Sequence, residues 1–390
     1  MTGPTSFLIP ALAAAALTAV VTPVVRRLAI ALGAVDAPGE RKPHGWPTPR
    51  LGGLAVVASV VCVVLAAETG LFGPVPRVPP QVMSGMVAGL LPILAVSIWD
   101  DIRRLPPWPK LIAHTAGAVI AVAGGVVLPD TLHLLGVGLP VGRAAGPLTV
   151  VWLVGVTNSF NIVDGLDGLA AGLALIAASS LAAVCFSLND LGVAWSALVL
   201  VGALAGFLPY NRHPARVFLG DSGATALGFT FACLAVASAS RLTTGFAILL
   251  PVFVVAIPVT DTLTAVARRT IRGVRSGRAP QLMRGDSNHI HHRLLARGVG
   301  HERAVWVLHV AAIAVAGLAV LSIWLNDRAA GLLVVALVTV ILLAVGRLGY
   351  DEFAFTRRTG LRRPDLSTGR HAGPETEALA ADDKALAKLE

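Results

Sequence analysis

Long apolar runs broken by short polar clusters set the pattern of this chain. The runs are roughly 17–22 residues long, the length an α-helix needs to cross a hydrocarbon core of about 30 Å. They predict eleven spans, at approximately Leu8–Val25, Leu51–Ala67, Val82–Trp99, Leu111–Leu128, Leu148–Asn158, Leu166–Phe186, Val193–Leu208, Ser222–Ser238, Gly245–Val266, Ala304–Trp324 and Ala329–Gly346. The fifth is the shortest. Pro92 falls in the third, and Pro251 and Pro258 in the ninth; neighbouring membrane helices can satisfy the carbonyls such residues free. The first run lacks a basic leader and is followed by Arg26-Arg27, so it reads as a retained helix. The expected fold is all-α and polytopic. Residues 1–350 form the transmembrane domain, and residues 351–390 form a mobile tail with a short helix at Glu375–Leu389.

Composition agrees with lipid as the solvent. The chain has 390 residues, 55% hydrophobic and only 14% charged, against about a quarter charged in soluble domains. A net charge of +9 could suggest nucleic acid, but its distribution points elsewhere. When the loops are numbered alternately by side, 27 of the 31 Lys and Arg fall on one side, and Arg77, Arg143, Arg241 and Arg328 on the other. That bias marks the rich side as cytoplasmic. Eleven spans then put the N-terminus outside and the C-terminus inside. Cys62, Cys185 and Cys233 all lie in apolar runs and form no Cys-x-x-Cys pair, which argues against a disulfide framework or a cysteine zinc site.

Five polar clusters stand at span ends on the basic side: Asp36–Gly53, Asp100–Lys110, Asn158–Gly168, Gly220–Gly223 and Asn288–Arg293. Loops that converge on one face can build one site. Asp100, Asp101, Asp164, Asp167 and Asp221, with Asn161, supply hard oxygen donors of the kind Mg²⁺ takes together with substrate phosphates. Helix capping accounts for any one of these acids, but less well for five on one face. Asn158, Asn161, Asp164 and Asp167 recur every third residue, so in a partly unwound helix they would line up. Gly165 and Gly168 permit a close backbone approach to a ligand. Arg41, Lys42, His44 and Lys110 could hold a phosphate at headgroup level, although positive-side anchoring also explains cations there. His289, His291, His292 and Arg293 read as donors to phosphate or sugar oxygens; a zinc reading lacks the ligands to complete a tetrahedral set.

Taken in order, these motifs resemble the polyprenyl-phosphate N-acetylhexosamine-1-phosphate transferase family, the WecA and MraY group. They are Arg41-Lys-x-His44, Pro47-x-Pro-Arg-x-Gly-Gly53, Asp100-Asp101 with Lys110, Asn158-x-x-Asn-x-x-Asp-Gly-x-Asp-Gly168, Gly220-Asp-Ser-Gly223 and His289-x-His-His-Arg-Leu294. The Pro49–Gly53 stretch and the short His-Arg-Leu loop are more WecA-like, favouring a UDP-N-acetylhexosamine over a muramyl-pentapeptide donor. The resemblance implies a Mg²⁺-dependent enzyme (with Mn²⁺ an admissible substitute) in a bacterial plasma membrane, its site facing the cytoplasm. It would make polyprenyl-diphospho-sugar and UMP from a UDP-sugar and polyprenyl phosphate, as the first membrane step of cell-envelope glycan synthesis. It also implies roles. Asn161 and Asp221 would hold the metal, Asp100 would meet the lipid phosphate with Lys110 nearby, and Asp101 would support the metal region. Asp164 and Asp167 would orient the uridine side or the metal's surroundings. Asn158 and the histidine loop would contact the nucleotide-sugar. Asp261 also matches a family feature but receives no role from physics. A homodimer is an admissible assembly, and no nucleic-acid partner is expected. The rival of a different class, an anion or lipid transporter, would carry its charges near mid-membrane; here they stand at one edge.

Overall fold

A computed structural model of the chain describes residues 3–36, 47–134, 137–239, 255–276, 289–325 and 327–347. Arg41, Lys42 and His44, and the tail from 351 with its expected helix, lie outside the described residues.

The described chain is mostly helical. Its helices are α1 (Thr5–Ala31), α2 (Gly52–Glu68), α3 (Pro80–Arg103), α4 (Pro107–Ala123), α5 (Ala145–Val163), α6 (Leu169–Ser187), α7 (Leu191–Asn211), α8 (Gly220–Ala239), α9 (Ala256–Ser276), α10 (Ile290–Ala296), α11 (His301–Ser322) and α12 (Asp327–Arg347). By length and composition seven of them, α1, α3, α5, α6, α7, α8 and α11, can cross a membrane. This is the architecture of a helical multi-pass membrane protein. Two short antiparallel ribbons complete it: β1 (Val35–Asp36) with β2 (Thr48–Pro49), and β3 (Thr131–Leu134) with β4 (Val137–Pro140).

Two spans differ from expectation. The fifth is a 19-residue helix, because a 3₁₀ turn at Gly142–Ala144 runs straight into Ala145. The ninth was expected to stop at Val266 before a charged loop. Instead α9 continues to Ser276. Its arginines alternate with apolar residues at helical spacing: Leu263, Val266 and Val274 are exposed, while Arg268 is fully buried. Such amphipathic order sustains a helix where charge density alone suggests a loop.

Local chemistry sets the helix ends that matter. Pro80 and Pro107 open α3 and α4, at the first turn, where a missing N–H costs nothing. Helix α8 is the central post. It packs against α2, α3, α5, α6 and α7, and nearly all of its side chains are buried. Its start is bolted to the start of α2: Gly52 N–H donates to the Phe218 carbonyl at 3.0 Å and Gly53 N–H to that of Leu219 at 2.8 Å. A Cβ on Gly53 would lie 2.0 Å from the Gly223 Cα, so only glycine fits this crossing. On the same end, Asp36 in β1 pairs with Arg50 at 2.9 Å and Arg104 at 3.0 Å. That ties the loops after α1 and α3 together. The starts of α2, α4, α6 and α8 and the ends of α3, α5 and α7 therefore share one end of the bundle.

Candidate functional site

At that end four helix termini bring an acid–lysine centre together. Lys110, in the first turn of α4, donates to Asp100 Oδ2 at 2.9 Å and to Asp221 Oδ2 at 2.7 Å. Asp100 lies in the last turn of α3 and Asp221 in the first turn of α8. Asn161, near the end of α5, has its Nδ2 3.5 Å from the same Asp221 oxygen. The second Asp100 oxygen accepts the Leu105 N–H. Residues 111 and 60 positions apart thus meet at one carboxylate.

Asp101 has a different task. Its two oxygens accept the N–H groups of Asp221 at 2.9 Å and Ser222 at 3.0 Å. Free amides at a helix start need such acceptors. Asp101, fixed on α3, caps α8 and sets the direction in which Asp221 leaves it. Gly220 makes room: its φ is +77°, and a Cβ there would sit 2.9 Å from an Asp101 oxygen.

Asp164 follows α5 as its C-cap. Its carboxyl is pushed up to about 8, first by burial and then by the negative charges of Asp221 and Asp101; Arg50 and the Gly220 backbone pull it partly back. A positive neighbour would favour its ionised form.

The row of every-third-residue polar groups does not stay in line. Helix α5 ends at Val163, and the Gly165 N–H turns back to the Val163 carbonyl at 2.8 Å. Asp167 therefore faces another way. Its Oδ2 meets His213 Nδ1 at 2.8 Å and the Ala215 N–H at 3.1 Å, and its own N–H donates to His301 Nε2 at 3.2 Å. The His213 and His301 rings stack at 4.4 Å. These three side chains place possible ligand atoms within 4.8 Å of one another, and their internal hydrogen bonds already explain the arrangement. Asn158 donates to the Val154 carbonyl of its own helix at 2.7 Å and faces His114, which is buried one turn beyond Lys110.

The histidine loop forms a second wall. His289 is the N-cap of α10. His291 is buried and lies against Gly165, where a Cβ would come within 2.4 Å of its Nε2. Burial pushes its imidazole down to about 3, helped by His292, so it is neutral at physiological pH. The His292 ring lies 4.2 Å from it. Arg293 sits on the same short helix. The structure thus places His291 beside the Asn158–Gly168 segment and leaves Asp167 with His213 and His301. Sequence reading missed those last two histidines and His114. Each stands at or near a span end on the basic side, which was the available signal.

Comparison with known proteins now bears on this arrangement. A protein of Bacillus subtilis named "Probable undecaprenyl-phosphate N-acetylglucosaminyl 1-phosphate transferase" is 35% identical over 292 residues, covering 75% of this chain and 78% of the relative. The decaprenyl-phosphate N-acetylglucosaminephosphotransferase of Mycobacterium tuberculosis is 38% identical over 347 residues, covering 81% and 82%. Residues 83–239 match the profile of glycosyl transferase family 4. The chain belongs to that family. The family-4 segment runs from α3 to the end of α8, so it contains the whole acid–lysine centre and excludes the histidine helix. The phospho-N-acetylmuramoyl-pentapeptide-transferase of Lactiplantibacillus plantarum is 37% identical over a shorter stretch, 36% of this chain and 48% of the relative.

Proposed function

We propose that this family-4 enzyme transfers N-acetylglucosamine-1-phosphate from UDP-N-acetylglucosamine to polyprenyl phosphate, releasing UMP. The single observation that carries the reading is Lys110 held between Asp100 and Asp221 at the membrane edge of three helices. It is supported by two relatives whose names specify N-acetylglucosamine-phosphate transfer to a polyprenyl phosphate. The excess of Lys and Arg on one side supports a site at the cytoplasmic face of the plasma membrane and, with eleven spans, an N-terminus outside. The eleven-span count belongs to the same proposal.

An oxygen of the lipid phosphate attacks the β-phosphorus of the nucleotide-sugar. The bond from that phosphorus to the bridging oxygen breaks, and the oxygen leaves with UMP. The attacking group is already an anion at neutral pH, so little base chemistry is required. The difficulty is bringing anions together, and fixed positive groups lower that barrier. Lys110 is the protein's own cation at this point. Asp100 holds its Nζ in place and sets the position of the lipid phosphate beside it.

The donor set suits Mg²⁺, or Mn²⁺ in its place. Asp221 and Asn161 offer hard oxygens, and Asp164 is a further carboxyl, its pKa raised partly by the charge of Asp221. Asp221 and Asn161 would hold the ion, with Asp164 alongside. Bound there, it would neutralise charge on the diphosphate. Asp101 orients Asp221 through the helix start. His291, Arg293 and their neighbours line the nucleotide-sugar side.

A panel of UDP-sugars, offered to purified protein with polyprenyl phosphate, tests the reading by the mass of the lipid product. A lipid-diphospho-N-acetylglucosamine is expected. Product only from the muramyl-pentapeptide donor would overturn it.

A further inference from the structure

Asp261 takes no part in the acid–lysine centre, yet it is almost fully buried, at 1% exposure. It sits in the second turn of α9, a long helix whose second half carries several arginines. A buried carboxylate is costly unless it is paired or hydrogen-bonded. Its described partners all belong to the histidine helix. Oδ1 accepts the N–H of Ile290, the first residue of α10, at 2.9 Å. Oδ2 lies 3.2 Å from Nδ1 of His289, the N-cap of the same helix. His289 offers no capping side chain of its own, so α10 receives its cap from a residue 29 positions earlier on another helix.

The consequence reaches the nucleotide-sugar wall. Helix α10 has only seven residues, and a helix that short does not hold its own shape in water. One residue after the Asp261 contact, His291 lands on Gly165, in the turn that also carries Asp164. We infer that Asp261 is a positioning residue: it seats the start of α10 so that the buried imidazole of His291 meets the Gly165 turn and completes the nucleotide-sugar side of the site. The part of this claim that concerns substrate rests on the function proposed above.

The geometry offers two independent ways to break the contact. Asp261→Ala removes both oxygens. Ile290→Pro removes the donated N–H, at a first helical position where proline is tolerated, together with the part-buried Ile290 side chain, so Ile290→Ala, which keeps the N–H, is its packing control. The preceding His289 has φ −70° and ψ 160°, a conformation that a following proline accepts. Asp261→Asn keeps an acceptor for Ile290 and is the conservative rescue.

The experiment uses the full chain in detergent or nanodiscs and reads two quantities. The first is amide exchange across residues 290–296, which needs no turnover. The second is KM for UDP-N-acetylglucosamine against KM for polyprenyl phosphate. Asp261→Ala and Ile290→Pro are each expected to speed exchange in α10 and to raise KM for the nucleotide-sugar about tenfold. KM for the lipid and kcat should stay within about threefold, since the contact acts on ground-state binding of one substrate. The double variant should fall short of the sum of the two single losses, because both remove the Ile290 N–H contact. Asp261→Asn should recover most of the loss. Unchanged exchange in α10, an equal rise in both KM values, or an Asn variant as impaired as Ala would overturn the inference. If exchange rises but the unmutated protein makes no product from UDP-N-acetylglucosamine, the seating role stands and the proposed substrate falls.

Discussion

The two walls of the site solve opposite problems. The acid–lysine centre gathers charge: two carboxylates, one amide and one ammonium, anchored at the ends of long helices of the bundle around α8. The histidine wall removes charge: His291 is buried and kept neutral, on a seven-residue helix capped from a distance. The first is held by helices that cannot move without opening the bundle. The second is held by a few local contacts. A reaction between anions needs cations fixed in advance, whereas selecting a nucleotide-sugar needs a shaped, largely neutral surface. The difference teaches where damage should appear, in turnover for the first wall and in donor binding for the second.

The largest effect expected is at Lys110. Lys110→Met leaves Asp100 and Asp221 without their shared cation, and should lower kcat on the order of a thousandfold, as loss of a fixed charge at a reacting phosphate does. Arginine should not restore it, because a planar fork cannot replace a compact ammonium between two oxygens. A kcat within tenfold of the starting protein would erase the contrast between the walls.

Next comes the α2–α8 crossing. Gly53→Ala forces a methyl into the Gly223 backbone, and overpacking of this kind costs about 1–3 kcal/mol. The thermal midpoint in detergent should fall by several degrees, together with kcat, because Asp221 rides on α8. A stable variant that lost only donor affinity would mean that the crossing does not aim the centre.

His291→Ala should act more mildly, raising KM for the donor about tenfold while leaving kcat within about threefold. A collapse of kcat with KM unchanged would move His291 to the other wall.

The smallest effect is a pH dependence at Asp164. Its folded pKa, about 8, stands above the ordinary carboxylate value. Burial costs nothing where both folded and unfolded chains are protonated. As pH rises from about 4 towards 8 the unfolded chain ionises first, so the group's contribution to stability is lost across that window. Asp164→Asn, which cannot ionise, should therefore gain thermal midpoint over the starting protein as pH increases. Added Mg²⁺ should narrow that gap. A gap independent of pH would contradict the raised pKa of this carboxyl.

Much of this could be read from the residues. Apolar runs located nearly every helix because bilayer thickness fixes their length. The polar clusters predicted a shared end because alternating spans return to the same face. Distance relations were beyond reach. Nothing along the chain says that Asp101 turns its oxygens to the start of α8 rather than to the centre, or that Asp167 swings to His213 and His301 after α5 ends at Val163. Asp261 offered no local signal, since its partners lie 28 and 29 residues away. The extension of α9 was hidden because arginines on a helix and arginines in a loop look alike until their periodicity is compared with burial.

The fate of the donor's β-phosphorus tests the central claim most directly. Purified protein should be given UDP-N-acetylglucosamine labelled at that atom, polyprenyl phosphate and Mg²⁺. Label is expected in the lipid product, with an equal amount of unlabelled UMP and loss of both in Lys110→Met. Label that stays with the nucleotide, or transfer that survives without Lys110, would contradict that claim.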